Sequence, residues 1–295
     1  MNKALLLRKA ADGLESVLKP VYGMNRPSIG GVDKDISYGP HPLNAMDVYR
    51  PGGGGPHPVF VWIHGGGWVT GDKSVSDNAC RRFASRGFVV FSLNYRLAPE
   101  HRFPEQFRDI DAAMAVVIER AEGFGGDAGR MFIGGDSAGA HLSSWYACAL
   151  LDGGLRDAAG IAGAMPPGNV RGLILFYGVY DVDGMRGSGF PFSKLFTDAF
   201  LGEDAGERIA ETASPAFNIP GGYPPCFITA AQSDRLYSQS VDFADTLRAA
   251  GVEVETAFFP RAAYPLSNHG YLNFPMLRSS RESIGGAAEF MKNRQ

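Results

Sequence analysis

The sequence predicts a mostly parallel α/β sheet flanked by helices on both faces. Three observations carry that prediction. Short, continuous apolar runs recur along the chain at Val59–Ile63, Phe88–Leu93, Met131–Ile133, Leu173–Tyr177, Phe227–Ala231 and Val254–Phe259. Continuous rather than alternating apolar character suits strands covered on both sides. Longer amphipathic stretches lie between the runs, and strand–helix alternation implies parallel strands joined by right-handed crossovers. Glycine is abundant, 39 of 295 residues, with no collagen period. Those glycines therefore read as turns and close backbone approaches.

Taken in order, residues 1–33 precede the first strand and begin with a helical segment. Lys34–Tyr38 and Met46–Tyr49 flank a Gly-Pro-His-Pro turn region, which reads as an antiparallel hairpin at the sheet edge. Pro51–Pro58 is a low-complexity surface loop. Pro104 stands in the first turn of a helix that places Phe107, Ile110, Met114, Val117 and Ala121 on one face. A second helix carries Val241, Ala244 and Leu247. A last one begins near Pro275 with Leu277, Ile284, Ala288 and Met291 on one stripe.

Residues 183–222 separate two strands by about 40 positions, too many for a bare loop. They carry Phe190, Phe192, Phe196 and Phe200 among glycines and prolines. The expected organisation is one domain over 1–295, with residues 1–33 and 183–222 as small cap elements over one end of the sheet. The alternative for 183–222 is a peripheral insertion with its own small core.

Composition narrows the class. Hydrophobic residues make up 45% and charged residues 20%, which argues against wholesale disorder. With 28 basic against 31 acidic side chains the net charge is −3, so no basic excess points to nucleic acid or an anionic membrane. Cys80, Cys148 and Cys226 lie far apart and form neither a metal-ligand spacing nor a disulfide framework. A reduced compartment fits them, and no metal or organic cofactor is expected. The apolar run Ala4–Leu7 is shorter than the roughly 7–15 residues of a secretory core, and no run approaches the 18 or so of a membrane span. The expected location is the cytoplasm. The oligomeric state is open, and a homodimer is compatible with the sequence.

Two motifs carry the chemistry. Gly135-Asp136-Ser137-Ala138-Gly139 is a G-x-S-x-G pentapeptide between the strand Met131–Ile133 and a small-residue helix, Ala138–Leu151. That is the setting of a nucleophile elbow, a tight strand-to-helix turn that exposes the serine at a helix N-terminus. The pentapeptide alone is weak, since a chain of this composition offers roughly a third of a match by chance. His64-Gly65-Gly66-Gly67-Trp68 follows the strand Val59–Ile63 and changes the odds. Its three glycines let the backbone turn and aim N–H groups at an oxyanion.

The elbow belongs to a chain order in which an acid and then a histidine follow the serine. Of the six histidines, His41, His57, His64 and His101 precede Ser137. His141 lies one turn along the elbow helix and reads as a packed helix residue. His269, in the polar stretch Ser267-Asn268-His269-Gly270 after the last strand, is left as the base. Asp234 stands at the carboxyl end of the strand Phe227–Ala231, where such sheets build their sites, and is placed to hold the histidine tautomer. Asp242 and Asp245 fall within the following helix and read as solvated.

HGGGW, Tyr95-Arg96-Leu97-Ala98-Pro99-Glu100-His101, GDSAG, the late Ser-Asp pair and Asn-His-Gly together resemble the hormone-sensitive-lipase-like carboxylesterases of the α/β-hydrolase superfamily. The resemblance runs from about residue 34 to the C-terminus. It implies a triad of Ser137, Asp234 and His269, and an oxyanion hole of the Gly66, Gly67 and Ala138 amides. It makes Tyr95–His101 architectural, with its Arg and Glu pinning loops. Ile36–Gly39, Met46–Tyr49 and Gly71-Asp72-Lys73 also resemble small bacterial esterases and arylformamidases of the same fold. Three features depart from the pattern: Tyr271 follows His269-Gly270 where the family commonly has Phe, Arg235 stands where it has Pro, and the loop Arg261–Asn268 is long. The last bears on the pocket, because the loop beside the base often lines it.

The expected activity is hydrolysis of small-molecule, short- to medium-chain carboxylic esters through an acyl-enzyme. The alternative is an arylformamidase or other amidase on the same triad. A non-enzymatic binding protein on this fold is expected to lack a triad member, and none is missing here.

Overall fold

The structure is a computed structural model that describes residues 3–295. The strands are β1 (Gly31–Ser37), β2 (Ala45–Arg50), β3 (His57–Ile63), β4 (Val89–Leu93), β5 (Gly126–Asp136), β6 (Val170–Phe176), β7 (Cys226–Ala231) and β8 (Val254–Phe259). The helices are α1 (Lys3–Tyr22), α2 (Asp77–Ala84), α3 (Glu105–Arg120), α4 (Ala138–Leu151), α5 (Gly153–Ala159), α6 (Ser193–Leu201), α7 (Glu207–Ala213), α8 (Tyr237–Ala249) and α9 (Arg278–Lys292).

All eight strands join one sheet in the order β1-β2-β4-β3-β5-β6-β7-β8. β2 is antiparallel to both β1 and β4, and every other pairing is parallel. The six apolar runs are strands, and the hairpin stands at the edge. Alternation along β3 shows why the central runs lack a polar face. Val59, Val61 and Ile63 point into one core with Phe107, Leu142 and Phe243, from α3, α4 and α8. Phe60 and Trp62 point into the other, with Phe83 of α2 and Ile284 of α9. Two buried faces leave β3 no position for a charge, whereas the edge strand β8 is partly exposed and carries Glu255.

Several boundaries differ from the sequence expectation, and two short helices carry no signal in it. β5 begins five residues before Met131, because the polar stretch Asp127–Arg130 offers no apolar signal although its backbone runs on beside His57 and Pro58. α9 begins at Arg278, with Pro275 and Leu277 in the turn before it. α2 and α5 are too short to show a helical period in the sequence.

The parallel strands all point their carboxyl ends to one edge. Two further pieces lie there. Residues 183–222 form α6, α7 and two short 3₁₀ turns. α1 is strapped down by Arg8, which donates to the carbonyls of Val69 (2.6 Å) and Ala98 (2.5 Å) and pairs with Glu100 (2.7 Å). At its other end, Asn78 donates to Tyr22 O at 2.7 Å.

Candidate active site

β5 ends at Asp136 and α4 starts at Ala138, so Ser137 occupies the turn alone. Its φ of 51° and ψ of −117° are strained for a residue with a Cβ, as the elbow requires. The flanking glycines have steric reasons. A Cβ on Gly135 would sit 2.0 Å from the carbonyl oxygen of Ile63, and one on Gly139 would sit 1.9 Å from that same oxygen. The backbone N–H of Ser137 donates to Phe176 O at 2.8 Å, which ties the elbow to β6.

The structure brings the other two expected residues to this serine. His269 Nε2 lies 2.9 Å from Ser137 Oγ, and His269 Nδ1 lies 2.7 Å from Asp234 Oδ2. Asp234 is buried just past β7, and its Oδ1 accepts from the N–H of Leu236 at 2.9 Å. That contact uses Leu236, so Arg235 replaces the usual proline without disturbing the carboxylate. Tyr271 is equally accommodated: its hydroxyl meets Thr229 Oγ1 at 2.7 Å beneath the histidine. Tyr177 and Phe190 set their rings edgewise to His269, with centroids 5.0 and 4.6 Å away.

His141 is buried on α4 and faces away from the elbow, toward Trp68 and Ala213. Asp242 and Asp245 are exposed on α8.

After β3 the chain turns through the three glycines. Gly65 N–H donates to Asp136 Oδ1 at 3.0 Å and is thereby used up. Gly66 and Gly67 have positive φ, 110° and 57°, and their N–H groups have no acceptor among the described residues. A Cβ on Gly66 would lie 2.0 Å from Thr70 O. The Ala138 N–H belongs to the first turn of α4, where amides lack intrahelical acceptors. Asp136 is therefore a brace between the two motifs. Burial raises its carboxyl to about 6, against the opposing pull of the Gly65 N–H and of His269. His64 fills the loop from beneath, stacked on Tyr95 at 4.4 Å, and burial lowers its pKa.

A cavity of about 320 Å³ opens over Ser137. Its walls come from the glycine turn, from Tyr177 and Val179 after β6, from Met185, Phe190, Phe192 and Phe196, and from Glu15 of α1. None of residues 261–268 lines it. The long loop that put the pocket in question instead packs outward, with Ser267 against Ser279 and Leu266 in solvent. The phenylalanines divide. Phe190 and Phe196 are half-buried cavity walls, Phe192 is an exposed rim residue, and Phe200 stacks on Trp68 at 4.5 Å within the main core. Tyr95–His101 stays off the cavity: Arg96 grips Asp109 and Glu105, and Glu100 holds Arg8.

Sequence reasoning passed over Asp136 and Glu15. Asp136 was visible as the second residue of the pentapeptide, but its partner lies 71 positions away. Arg8, Asp12 and Glu15 follow the i, i+4, i+7 rule of one helical face, which was a legible signal.

Among the described residues no group of three or more His, Cys, Asp or Glu side chains could hold a metal ion, and no helix is long and apolar enough to cross a membrane. The three cysteines are buried and unpaired.

A family model for the alpha/beta hydrolase fold matches residues 60–267. The chain is similar to the carboxylic ester hydrolase LipN of Mycobacterium tuberculosis, 34% identical over 236 residues, which is 76% of this chain and 60% of that protein. It is also similar to the carboxylesterase NlhH of the same organism, 32% identical over 238 residues, 75% of this chain and 68% of the relative. The crystal structure of esterase B from Lactobacillus rhamnosis superposes with a TM-score of 0.88 at 23% identity, covering 98% of this chain and 94% of the other. The chain thus spans between about three fifths and two thirds of the length of these curated relatives.

Proposed function

Because the chain belongs to the hormone-sensitive-lipase-like family of α/β-hydrolases, we propose that it is a serine carboxylesterase acting on short- to medium-chain esters. The observation that carries this reading is the continuous contact from Asp234 through His269 to Ser137, at 2.7 and 2.9 Å, opposite two glycine N–H groups with no acceptor among the described residues.

Ser137 Oγ attacks the ester carbonyl while His269 Nε2 takes its proton. Asp234 accepts from Nδ1–H, which holds the required tautomer and balances the imidazolium. The carbonyl oxygen becomes an oxyanion and receives the N–H groups of Gly66, Gly67 and Ala138. The tetrahedral intermediate collapses, the C–O bond to the alcohol breaks, and His269 returns the proton to the departing oxygen. Water, deprotonated by the same histidine, then attacks the acyl-serine, and a second collapse releases the acid and restores Ser137. Asp136 acts through the loop: by holding Gly65 it fixes the direction of the next two amides.

The cavity is near the lower end of the usual range for small-molecule sites, which supports small acyl groups. α1 and residues 183–222 serve as cap elements of one domain in this reading, since both supply cavity wall. Three buried free thiols favour a reduced, cytoplasmic setting. Hydrolysis of a graded p-nitrophenyl ester series by the purified chain, lost in Ser137→Ala, tests the assignment. Absence of turnover on every member overturns it.

A further inference from the structure

α1 presents one polar face to the body of the protein, on which Arg8 and Asp12 are held while the side chains of Glu15 and Lys19 make no hydrogen bond or ion pair among the described residues. Arg8 is held by two carbonyls and Glu100, and Asp12 accepts from Thr70 Oγ1 at 3.1 Å. Glu15, next on the same face, is partly buried and has no hydrogen bond or ion pair among the described residues. Lys19, one turn further on, makes no ion pair with it. Glu15 is also shared between two spaces. It lines the cavity over Ser137, and with Val75 it lines an adjoining cavity of about 220 Å³. A carboxylate withdrawn from water without a partner is unfavourable, and an incoming cation relieves that cost.

We propose that Glu15 is a specificity-determining residue, and that the preferred substrates are esters carrying an ammonium group, whose charge sits against this carboxylate while the ester lies at Ser137. The inference rests on the carboxylesterase reading and names the substrate class of that site.

The surroundings favour a cation over an anion. Asp12 faces Glu15 from its own helix, Asp72 from the loop after β3, and Asp136 from the end of β5. Asp77 of α2 is neutralised by Arg26 and Arg81, and Lys19 and Tyr22 complete the side toward the adjoining cavity. His64 and His269 stand across the catalytic cavity. Burial pushes Asp72 up, but donors from Asn94 and Ser74 outweigh it and bring it to about 2, so it is charged at neutral pH. Burial, then the charges of Asp12, Asp136 and Asp72, raise Glu15 to about 7, with Lys19 opposing. The sign follows. Glu15 is an anion above that value and neutral below it, so preference for a cation is present at high pH and lost as pH falls through about 7.

The test compares charged esters with their uncharged isosteres. One pair is acetylcholine and the ester in which tert-butyl replaces trimethylammonium. The other carries the same exchange at the far end of the acyl chain of a methyl pentanoate. The readout is the ratio of kcat/KM, charged over uncharged, from pH 5.5 to 8.5, in which pH effects common to both esters cancel. A partly desolvated charge pair is expected to give a ratio of about tenfold at pH 8.5 in at least one pair. The ratio should fall as the pH falls, and collapse toward one at all pH values in Glu15→Gln. A ratio near one for both pairs in the wild type overturns the proposal, as does a pH-dependent ratio that survives Glu15→Gln. Turnover of the uncharged isosteres by the wild type keeps the carboxylesterase reading separate, because that reading fails only if they too are inert.

Discussion

The indole N–H of Trp68 donates to His141 Nδ1 at 3.0 Å, so the imidazole proton is carried by Nε2, which faces the carbonyl oxygen of Ala213 at 2.7 Å. Both bonds are satisfied only by the neutral ring. Burial accordingly lowers His141 to about 4, although the Ala213 carbonyl favours the charged form.

This gives a stability prediction. The unfolded chain takes up the proton at about 6.5 and the native state only near 4, so the unfolded state binds more protons between those values. Native stability is therefore complete above about 6.5 and declines as pH falls toward 4. The loss from this one residue is about 2 kcal/mol between pH 7 and pH 5. Urea unfolding of wild type and His141→Gln at both pH values measures it, as a flatter pH dependence in the variant. Equal pH dependence in the two proteins would count against the neutral, buried tautomer.

The second prediction separates two histidines that differ little in sequence context. Ser137→Ala, His269→Ala and Asp234→Asn should each lose several orders of magnitude in kcat, with the first two nearly equal because the residues act as a unit. His141→Gln should retain ester turnover within about tenfold, since the His141 side chain reaches Trp68 and Ala213 rather than Ser137 Oγ. A phosphonate inhibitor should add its mass at Ser137. The reverse ranking of the histidines overturns the assignment.

Asp136 supplies a third prediction, of opposite sign to the first. Its carboxyl has an ordinary value of 3.8 and stands at about 6 in the native state. The native state thus binds the proton more tightly, and stability is lost as pH rises from about 4 to 6. Above that window the penalty is about 3 kcal/mol, and Asp136→Asn removes it while keeping an oxygen for Gly65 N–H. The variant should be more stable than wild type at pH 8, with the gap closing toward pH 4. Asp136→Ala removes the acceptor as well, and should lower kcat more than it changes KM, because the Gly66 and Gly67 amides lose their brace.

What the sequence disclosed and what it withheld divide along a physical line. Strands buried on both faces announce themselves as apolar runs, and the elbow and glycine turn are written in adjacent residues. Ser137 and its flanking glycines were legible because the steric demand is local. Asp234 and His269 were legible because chain order and strand ends constrain them. Gly65–Asp136 was not, because a pairing across 71 positions leaves no periodic trace. Nor was the division among the phenylalanines. Phe196 and Phe200 lie on one short helix, four residues apart, yet the first walls the cavity and the second stacks on Trp68. The loop Arg261–Asn268 misled because its length suggested a pocket role, whereas its buried contact is Ser267 with Ser279.

The last prediction concerns the acyl wall. Gly67 has a φ of 57°, and a Cβ there would meet the Phe196 ring at 2.4 Å, so the phenylalanine closes directly over the glycine turn. A cavity of about 320 Å³ bounded in this way leaves little room for a long chain. Each methylene contributes about 0.8 kcal/mol only where it is buried, and beyond the wall it clashes or stays wet. Across p-nitrophenyl esters from acetate to palmitate, kcat/KM should peak at about two to six acyl carbons. Phe196→Ala should move the maximum to longer chains. Phe192→Ala should not, because that ring is 61% exposed at the rim. Gly67→Ala should cut kcat for every member of the series, since strain and the ring clash displace an oxyanion donor, a change that typically costs about 10²–10³ in rate. A maximum at dodecanoate or longer in the wild type overturns the small-pocket reading. An unshifted maximum in Phe196→Ala, with stability reduced, assigns that ring to the packing of α6 rather than to the acyl wall.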